Sequence, residues 1–132
     1  MTTDLPHILI AEPEFLIALD AEYLIKAALD CRITLQRPEQ VDQWDSTALA
    51  DVDLCLLDVP GENEETRARI RRLVDKGVPL LLTTISEAQR EGVAGFEVVP
   101  VVMKPFEAET LAALVKARLR QRPQPPGTAD QN

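Results

Sequence analysis

The sequence predicts an α/β domain built on a doubly wound, five-stranded parallel sheet with helices on both sides. Short apolar segments of strand length alternate five times with helical segments, which is the pattern of this fold class. The strand segments are apolar throughout rather than at every second residue, and this indicates strands buried on both faces. A length of 132 residues with 45% hydrophobic residues fits a single domain with one core region.

The first half of the chain predicts two strands and two helices. The first strand, 8–11, precedes Pro13, which suits the first turn of a helix because its missing N–H is not needed there. The helix 15–28 places a row of apolar residues at helical spacing, and this row is expected to pack in the core or at its edge. A strand at 33–35 and a weaker helix at 38–49 follow. The apolar row consists of Leu16, Leu19, Tyr23 and Ala27.

The second half begins with the third strand, 54–57, after which Pro60-Gly61 signals a turn. The helix 64–75 is closed by Gly77, as a glycine just past a helix end indicates. The remaining predicted elements are the strand 78–83, at most a short helix at 86–91, the strand 98–103 and the final helix 107–122.

The charge of the chain makes a nucleic-acid partner unexpected. Its formal net charge is −8, whereas sequence-independent binding to nucleic acid depends on Lys and Arg that neutralise phosphates. The arginines of the helix 64–75 alternate with apolar residues, which is typical of a solvated helix face. These arginines are Arg67, Arg69, Arg71 and Arg72.

Neither a membrane span nor a disulfide is predicted. The apolar runs are far shorter than the roughly 20 residues that cross a bilayer, and no charged-then-apolar leader opens the chain, so a cytoplasmic location is expected. Cys31 and Cys55 lie in apolar surroundings without CxxC or Cys/His spacing. We expect both to be buried, reduced thiols.

Four polar residues lie where predicted strands end. Glu12 follows the first strand, Asp58 ends the third, Thr84 lies just past the fourth and Lys104 follows the fifth. The carboxyl ends of parallel strands meet at one edge of a sheet, and ligands bind in the crevice there. Carboxylates that hold Mg²⁺, with a lysine and a hydroxyl that bind phosphate oxygens, indicate a site for a metal and a phosphoryl group.

From His7 to about Leu119 the sequence resembles the receiver domain of bacterial two-component response regulators, of the chemotaxis-regulator type. Three motifs carry the resemblance: LCLLDVPG around Asp58, LLLTT ending at Thr84, and MKPF, which contains Lys104. The resemblance implies a flavodoxin-like three-layer fold with strand order 2-1-3-4-5. It also implies a cis peptide bond before Pro105.

The resemblance further implies a function as a stand-alone receiver in a phosphorelay. Asp58 would accept a phosphoryl group from a histidine kinase or histidine phosphotransfer protein, with Lys104 and Thr84 contacting that group. Mg²⁺ would be held by Glu12, Asp58 and the backbone carbonyl of Pro60. Phosphorylation would act on a downstream protein, or on self-association, through the fourth helix, fifth strand and fifth helix of the family, without nucleic acid or membrane.

The receiver is predicted to span residues 1–122, followed by a disordered, proline-rich tail at 123–132. Beyond its own phosphorylation and dephosphorylation, no enzymatic activity is expected. A small flavin protein is disfavoured because the loop after the first strand is acidic, whereas a flavin phosphate needs a loop rich in Ser, Thr and Gly.

Three departures from the family pattern favour an alternative function. Pro13 occupies the place of a second acid, and Val101 that of an aromatic residue that rotates inward on phosphorylation. The loop after Asp58 also adds acids, which oppose the gain of about two further negative charges unless a cation is bound. The alternative is a pseudo-receiver, an interaction module that works without phosphorylation. The added acids are Glu62, Glu64 and Glu65.

Overall fold

The computed structural model describes residues 5–120, which form a five-stranded parallel sheet flanked by helices. The strands are β1 His7–Ala11, β2 Arg32–Gln36, β3 Leu54–Asp58, β4 Leu80–Thr84 and β5 Val101–Met103. The helices are α1 Phe15–Ala28, α2 Pro38–Val41, α3 Ser46–Ala50, α4 Glu64–Asp75 and α5 Ala108–Arg118. The order in the sheet is β2-β1-β3-β4-β5, with every pair parallel. The predicted fold class and strand order are confirmed.

The sheet separates two layers of hydrophobic core, as a three-layer domain requires. Strands β1, β3 and β4 are buried at every residue, which explains their continuous apolar sequence. One core layer packs Ile25 of α1 and Leu111 of α5 against one face of the sheet. The other packs Leu49 of α3 and Ile70 of α4 against the opposite face.

Several predicted elements have different bounds in the structure: β4 is 80–84 rather than 78–83, so that Thr84 ends the strand, and the final helix ends at Arg118. The contacts explain two further differences. The single helix predicted at 38–49 is two short helices, because Asp45 begins α3 by accepting a hydrogen bond from the backbone N–H of Ala48 at 2.8 Å. The fifth strand begins only at Val101, because the preceding residues form turns in which Val99 N–H donates to the carbonyl of Phe96.

The outward face of α1 corrects a prediction. The row expected to pack is exposed instead: Leu16 is 77% and Tyr23 is 73% exposed. The helix is apolar on two sides, and the side with small residues, Ala18 and Ala21, faces the sheet with Ile25. Small side chains let the helix backbone approach the sheet closely, so the larger residues are left outside.

The segment between β4 and β5 contains a single turn of 3-10 helix, Glu87–Gln89, in agreement with the short helix predicted there. Gly92 and Gly95 adopt φ values of 124° and 90°, a region that other residues rarely enter, and helical structure does not continue past them. The interaction face implied by the family resemblance therefore lacks its fourth helix in this chain.

Other predictions concern single residues and the ends of the chain. Cys31 and Cys55 are buried and free, and the peptide bond between Lys104 and Pro105 is cis, both as predicted. Among residues 5–120 no helix is long and apolar enough to cross a membrane. The predicted tail at 123–132 and the last two residues of the predicted final helix lie outside the described residues.

Candidate functional site

Three strands bring the predicted acidic and basic residues to the carboxyl edge of the sheet. Asp58 is the last residue of β3, Glu12 directly follows β1 and Lys104 directly follows β5. Backbone hydrogen bonds fix the last two, since Glu12 N–H donates to the carbonyl of Gln36 at 2.9 Å and Lys104 N–H to that of Thr84 at 2.8 Å. The sheet ladder thus continues into the site and fixes the backbone from which these side chains project.

A buried ionic cluster, formed by Glu12, Asp58 and Lys104, occupies this edge. The Lys104 Nζ donates to Glu12 Oε1 at 2.9 Å and to Asp58 Oδ1 at 2.6 Å. The three side chains are only 4–8% exposed. Two carboxylates share one ammonium group, so the cluster carries one excess negative charge when all three groups are ionised.

The environment keeps Lys104 in its charged form. Burial acts to lower the pKa of Lys104, but the hydrogen bonds and charges of Asp58 and Glu12 outweigh burial and raise its pKa above the ordinary value of 10.5. At neutral pH the residue is therefore a fixed cation beside the Asp58 carboxylate.

Thr84 reaches the neighbourhood of Asp58 but contacts the backbone there. Thr84 is fully buried; its hydroxyl donates to the carbonyl of Val59 at 2.9 Å and accepts from Ser86 N–H at 2.9 Å. The hydroxyl is thus held beside the peptide that follows Asp58. Thr83, the neighbour that could take the place of Thr84 from the sequence alone, pairs with Asp58 in the sheet register and lines a small space beside Glu12.

Two of the predicted magnesium ligands, Glu12 and Asp58, lie together, but Lys104 binds both of them. Glu12 uses Oε1 for Lys104 and Oε2 for the backbone N–H of Glu14 at 3.1 Å. Within residues 5–120 there is no group of three or more His, Cys, Asp or Glu placed to hold a metal. Two carboxylates and the Pro60 carbonyl still match the donors of Mg²⁺, which keeps several waters and needs one or two carboxylates.

Arginines of α4 offset part of the negative charge near the site. Arg67 lies 3.9 Å from Glu62, and Arg69 binds Glu65 at 3.1 Å while holding both oxygens of Asp42 at 2.7–2.8 Å. Arg69 is 9% exposed, so the predicted solvated face is wrong for this residue. Two of the three acids after Asp58, Glu62 and Glu65, are therefore paired with arginines of this helix.

The strand order and the helices on both sides of the sheet are those of the response regulator receiver fold. Solved structures of such domains are similar to this chain over most of its length. No family model and no curated protein sequence matches the chain.

Three solved structures represent this similarity. A pilus assembly-related protein by name, from Burkholderia pseudomallei K96243, is 24% identical with a TM-score of 0.69, and the match covers 93% of this chain and 98% of that one. SdrG from Pseudomonas melonis Fr1, in its BeF3-activated conformation, is 24% identical with a TM-score of 0.65, covering 88% and 98%. A CheY-like receiver domain protein from Methanospirillum hungatei JF-1 is 15% identical with a TM-score of 0.62, covering 86% and 93%. At these identities the similarity establishes the fold.

Proposed function

We propose that this chain is a receiver that accepts a phosphoryl group on Asp58 and signals through protein contacts. The observation that carries the proposal is the Lys104 ammonium, which lies 2.6 Å from Asp58 Oδ1 at the carboxyl edge of the sheet. The donor would be the phosphohistidine of a histidine kinase or phosphotransfer protein in the cytoplasm. Beyond its own phosphorylation and dephosphorylation the chain would have no enzymatic activity.

The residues of the site divide the work of the transfer. An Asp58 oxygen attacks phosphorus, the bond from phosphorus to the histidine nitrogen breaks, and the imidazole leaves. Lys104 neutralises part of the phosphoryl charge of about −2, and Thr84 donates to a phosphoryl oxygen after releasing the Val59 carbonyl. Such positioning and charge neutralisation is the main contribution of proteins to phosphoryl transfer.

Magnesium is proposed as the cofactor of this site. Glu12, Asp58 and the Pro60 carbonyl would hold it, and when bound it would neutralise further phosphoryl charge. When no ion is bound, Lys104 holds the Glu12 and Asp58 carboxylates together.

The pseudo-receiver is the second candidate, and one observation favours it. Both oxygens of Glu12 already accept hydrogen bonds, one from Lys104 and one from the Glu14 backbone N–H. Pro13, which lies between Glu12 and Glu14, has no carboxylate that could bind the metal instead. In this alternative the cluster of Glu12, Asp58 and Lys104 holds three strands together, and a partner recognises the unmodified fold.

An NMR titration with Mg²⁺, with and without beryllofluoride, separates the two candidates. Beryllofluoride is a suitable phosphoryl analogue because SdrG adopts its activated conformation with BeF3. A receiver shows saturable shifts of the Asp58, Thr84 and Lys104 amides at millimolar Mg²⁺, and beryllofluoride tightens them. The shifts disappear in Asp58→Asn and persist in Asp51→Asn, a matched acid-to-amide change at the opposite edge of the sheet.

A second variant tests the metal corner directly. Pro13→Asp restores an acid beside Glu12 and is expected to lower the Mg²⁺ concentration needed for half-saturation at least several-fold. Absence of any response up to tens of millimolar Mg²⁺, in both the natural chain and Pro13→Asp, would support the pseudo-receiver and reject phosphoryl transfer.

A further inference from the structure

The exposed side of α1 carries a continuous apolar stripe, which we define as Phe15, Leu16, Leu19 and Tyr23. These side chains are 64%, 77%, 37% and 73% exposed, respectively. The opposite side of the helix already packs against the core, so no part of the described chain covers the stripe. Contiguous exposed apolar residues on one helix face are typical of an interaction surface.

Three of the four stripe residues are symmetric about Leu19, whereas Leu16 would face Glu22 of the other copy. Phe15, Leu19 and Tyr23 are spaced four residues apart and therefore lie in one row along the helix. If two α1 helices pack antiparallel about a two-fold axis at Leu19, each Phe15 meets the Tyr23 of the other copy. The same surface then fits itself, which is the requirement for a two-fold interface.

The charges at the two ends of the stripe favour the antiparallel arrangement. Glu14 lies immediately before Phe15, and Lys26 lies one turn beyond Tyr23; both are exposed. In the antiparallel pair, Lys26 lies at the level of residue 12 of the other copy. It is therefore two residues from the level of Glu14, or about 3 Å along the helix axis at a rise of 1.5 Å per residue. A parallel pair would instead place like charges together.

From these features we propose that two copies of this chain associate through an antiparallel pair of α1 helices. The inference rests on the surface of the fold and is independent of the proposed phosphoryl transfer. It also places self-association on α1, whereas the family resemblance implies the face formed by the fourth helix, fifth strand and fifth helix of the family.

The association is expected to be weak. Two aromatic side chains of about 150–250 Å² each, with the two leucines, leave on the order of 400–500 Å² to be covered per copy. The pair would bury about 1,000 Å², which is the size of transient complexes. The Asp20 carboxylates approach each other beside the two-fold, and a net charge of −8 per chain opposes association further.

Sedimentation velocity from micromolar to millimolar concentrations tests the proposal. The natural chain should show a monomer–dimer equilibrium, and Leu19→Glu should weaken it at least tenfold while the circular dichroism spectrum stays unchanged. Val98→Glu is the matched control, because Val98 is 91% exposed and lies outside α1. A natural chain that stays monomeric at millimolar concentration, or equal effects of the two variants, would overturn the proposal.

A charge exchange then tests the orientation of the helices. Glu14→Lys alone and Lys26→Glu alone should each weaken the dimer several-fold, whereas the double variant should return to within about twofold of the natural chain, since opposite charges again face each other. A double variant weaker than both single variants would reject the antiparallel pair. The beryllofluoride response of Leu19→Glu, measured in parallel, shows whether phosphoryl binding stands or fails separately.

Discussion

The two edges of the sheet bury polar groups in different ways. At the amino edge, the His7 ring bonds Asp51 Oδ2 at 3.0 Å through Nδ1 and Thr34 Oγ1 at 2.8 Å through Nε2. The His7 backbone N–H donates to Asp53 at 2.9 Å. At the carboxyl edge, the Lys104 ammonium pairs with two buried carboxylates, and Glu12 also accepts from Glu14 N–H.

The two edges differ in how the buried charges are balanced. At the amino edge each nitrogen of His7 has its own partner, and Asp51, with a side chain 57% exposed, keeps contact with water. At the carboxyl edge a surplus negative charge is buried and depends on one cation. A buried charge cluster contributes little net stability, but it becomes costly when one partner is removed.

The largest expected effect is that of Lys104→Met. This change leaves two buried carboxylates without their cation, and we expect the free energy of unfolding to fall by about 3 kcal/mol. Urea denaturation measures it. Lys26→Met, at an exposed lysine, is the control and should stay within about 0.5 kcal/mol of the natural chain; equal effects of the two changes would contradict the comparison.

His7→Ala should have an intermediate effect. It removes two hydrogen bonds of the ring, and a loss of about 1–2 kcal/mol in unfolding free energy is expected. Because the amino edge is structural, the variant should respond to Mg²⁺ and beryllofluoride as the natural chain does. A loss of that response in a folded His7→Ala protein would show that the two edges are coupled.

Asp58→Asn should change stability least of the three. It breaks one ion pair with Lys104 but also removes the surplus negative charge, so the unfolding free energy should stay within about 1 kcal/mol of the natural value. The same urea experiment applies. A loss as large as that of Lys104→Met would mean that Asp58, rather than the sharing of one cation, stabilises this edge.

The rate at which a thiol reagent labels Cys55 should also differ among these variants, by a smaller amount. Burial raises the pKa of Cys55 to about 12, so near neutral pH the folded chain holds almost no thiolate, the reactive form. Labelling by a thiol reagent should therefore require unfolding, accelerate as pH rises, and be fastest in Lys104→Met. Equal labelling rates in all variants would indicate local access to β3 instead.

Most of the fold could be predicted from the sequence, because continuous apolar strands and the glycine and proline signals between elements are local features. The exposed side of α1 could not be predicted. Leu16 and Tyr23 have the spacing of a packed face, but it is Ala18 and Ala21 that pack against the sheet. The choice depends on how closely the helix can approach its neighbours, which is a property of the whole core.

The site was predictable in composition and less so in its contacts. Strand ends identified Glu12, Asp58 and Lys104 as neighbours, and the structure brings their side chains together. That Lys104 binds both acids, and that the Thr84 hydroxyl binds the Val59 carbonyl, depends on side-chain rotamers across separate strands. The roles assigned to these residues and to Mg²⁺ stay predictions.

The short 3-10 turn between β4 and β5 has a consequence for signal fidelity. Proteins that recognise a receiver by a helix at this place meet only turns here, and a missing helix rejects such proteins as effectively as a clash would. Where many related receivers are present, the absence of a recognition helix limits unwanted binding as well as a steric clash does. If this chain is the receiver that we propose, proteins that depend on that helix would therefore not bind it.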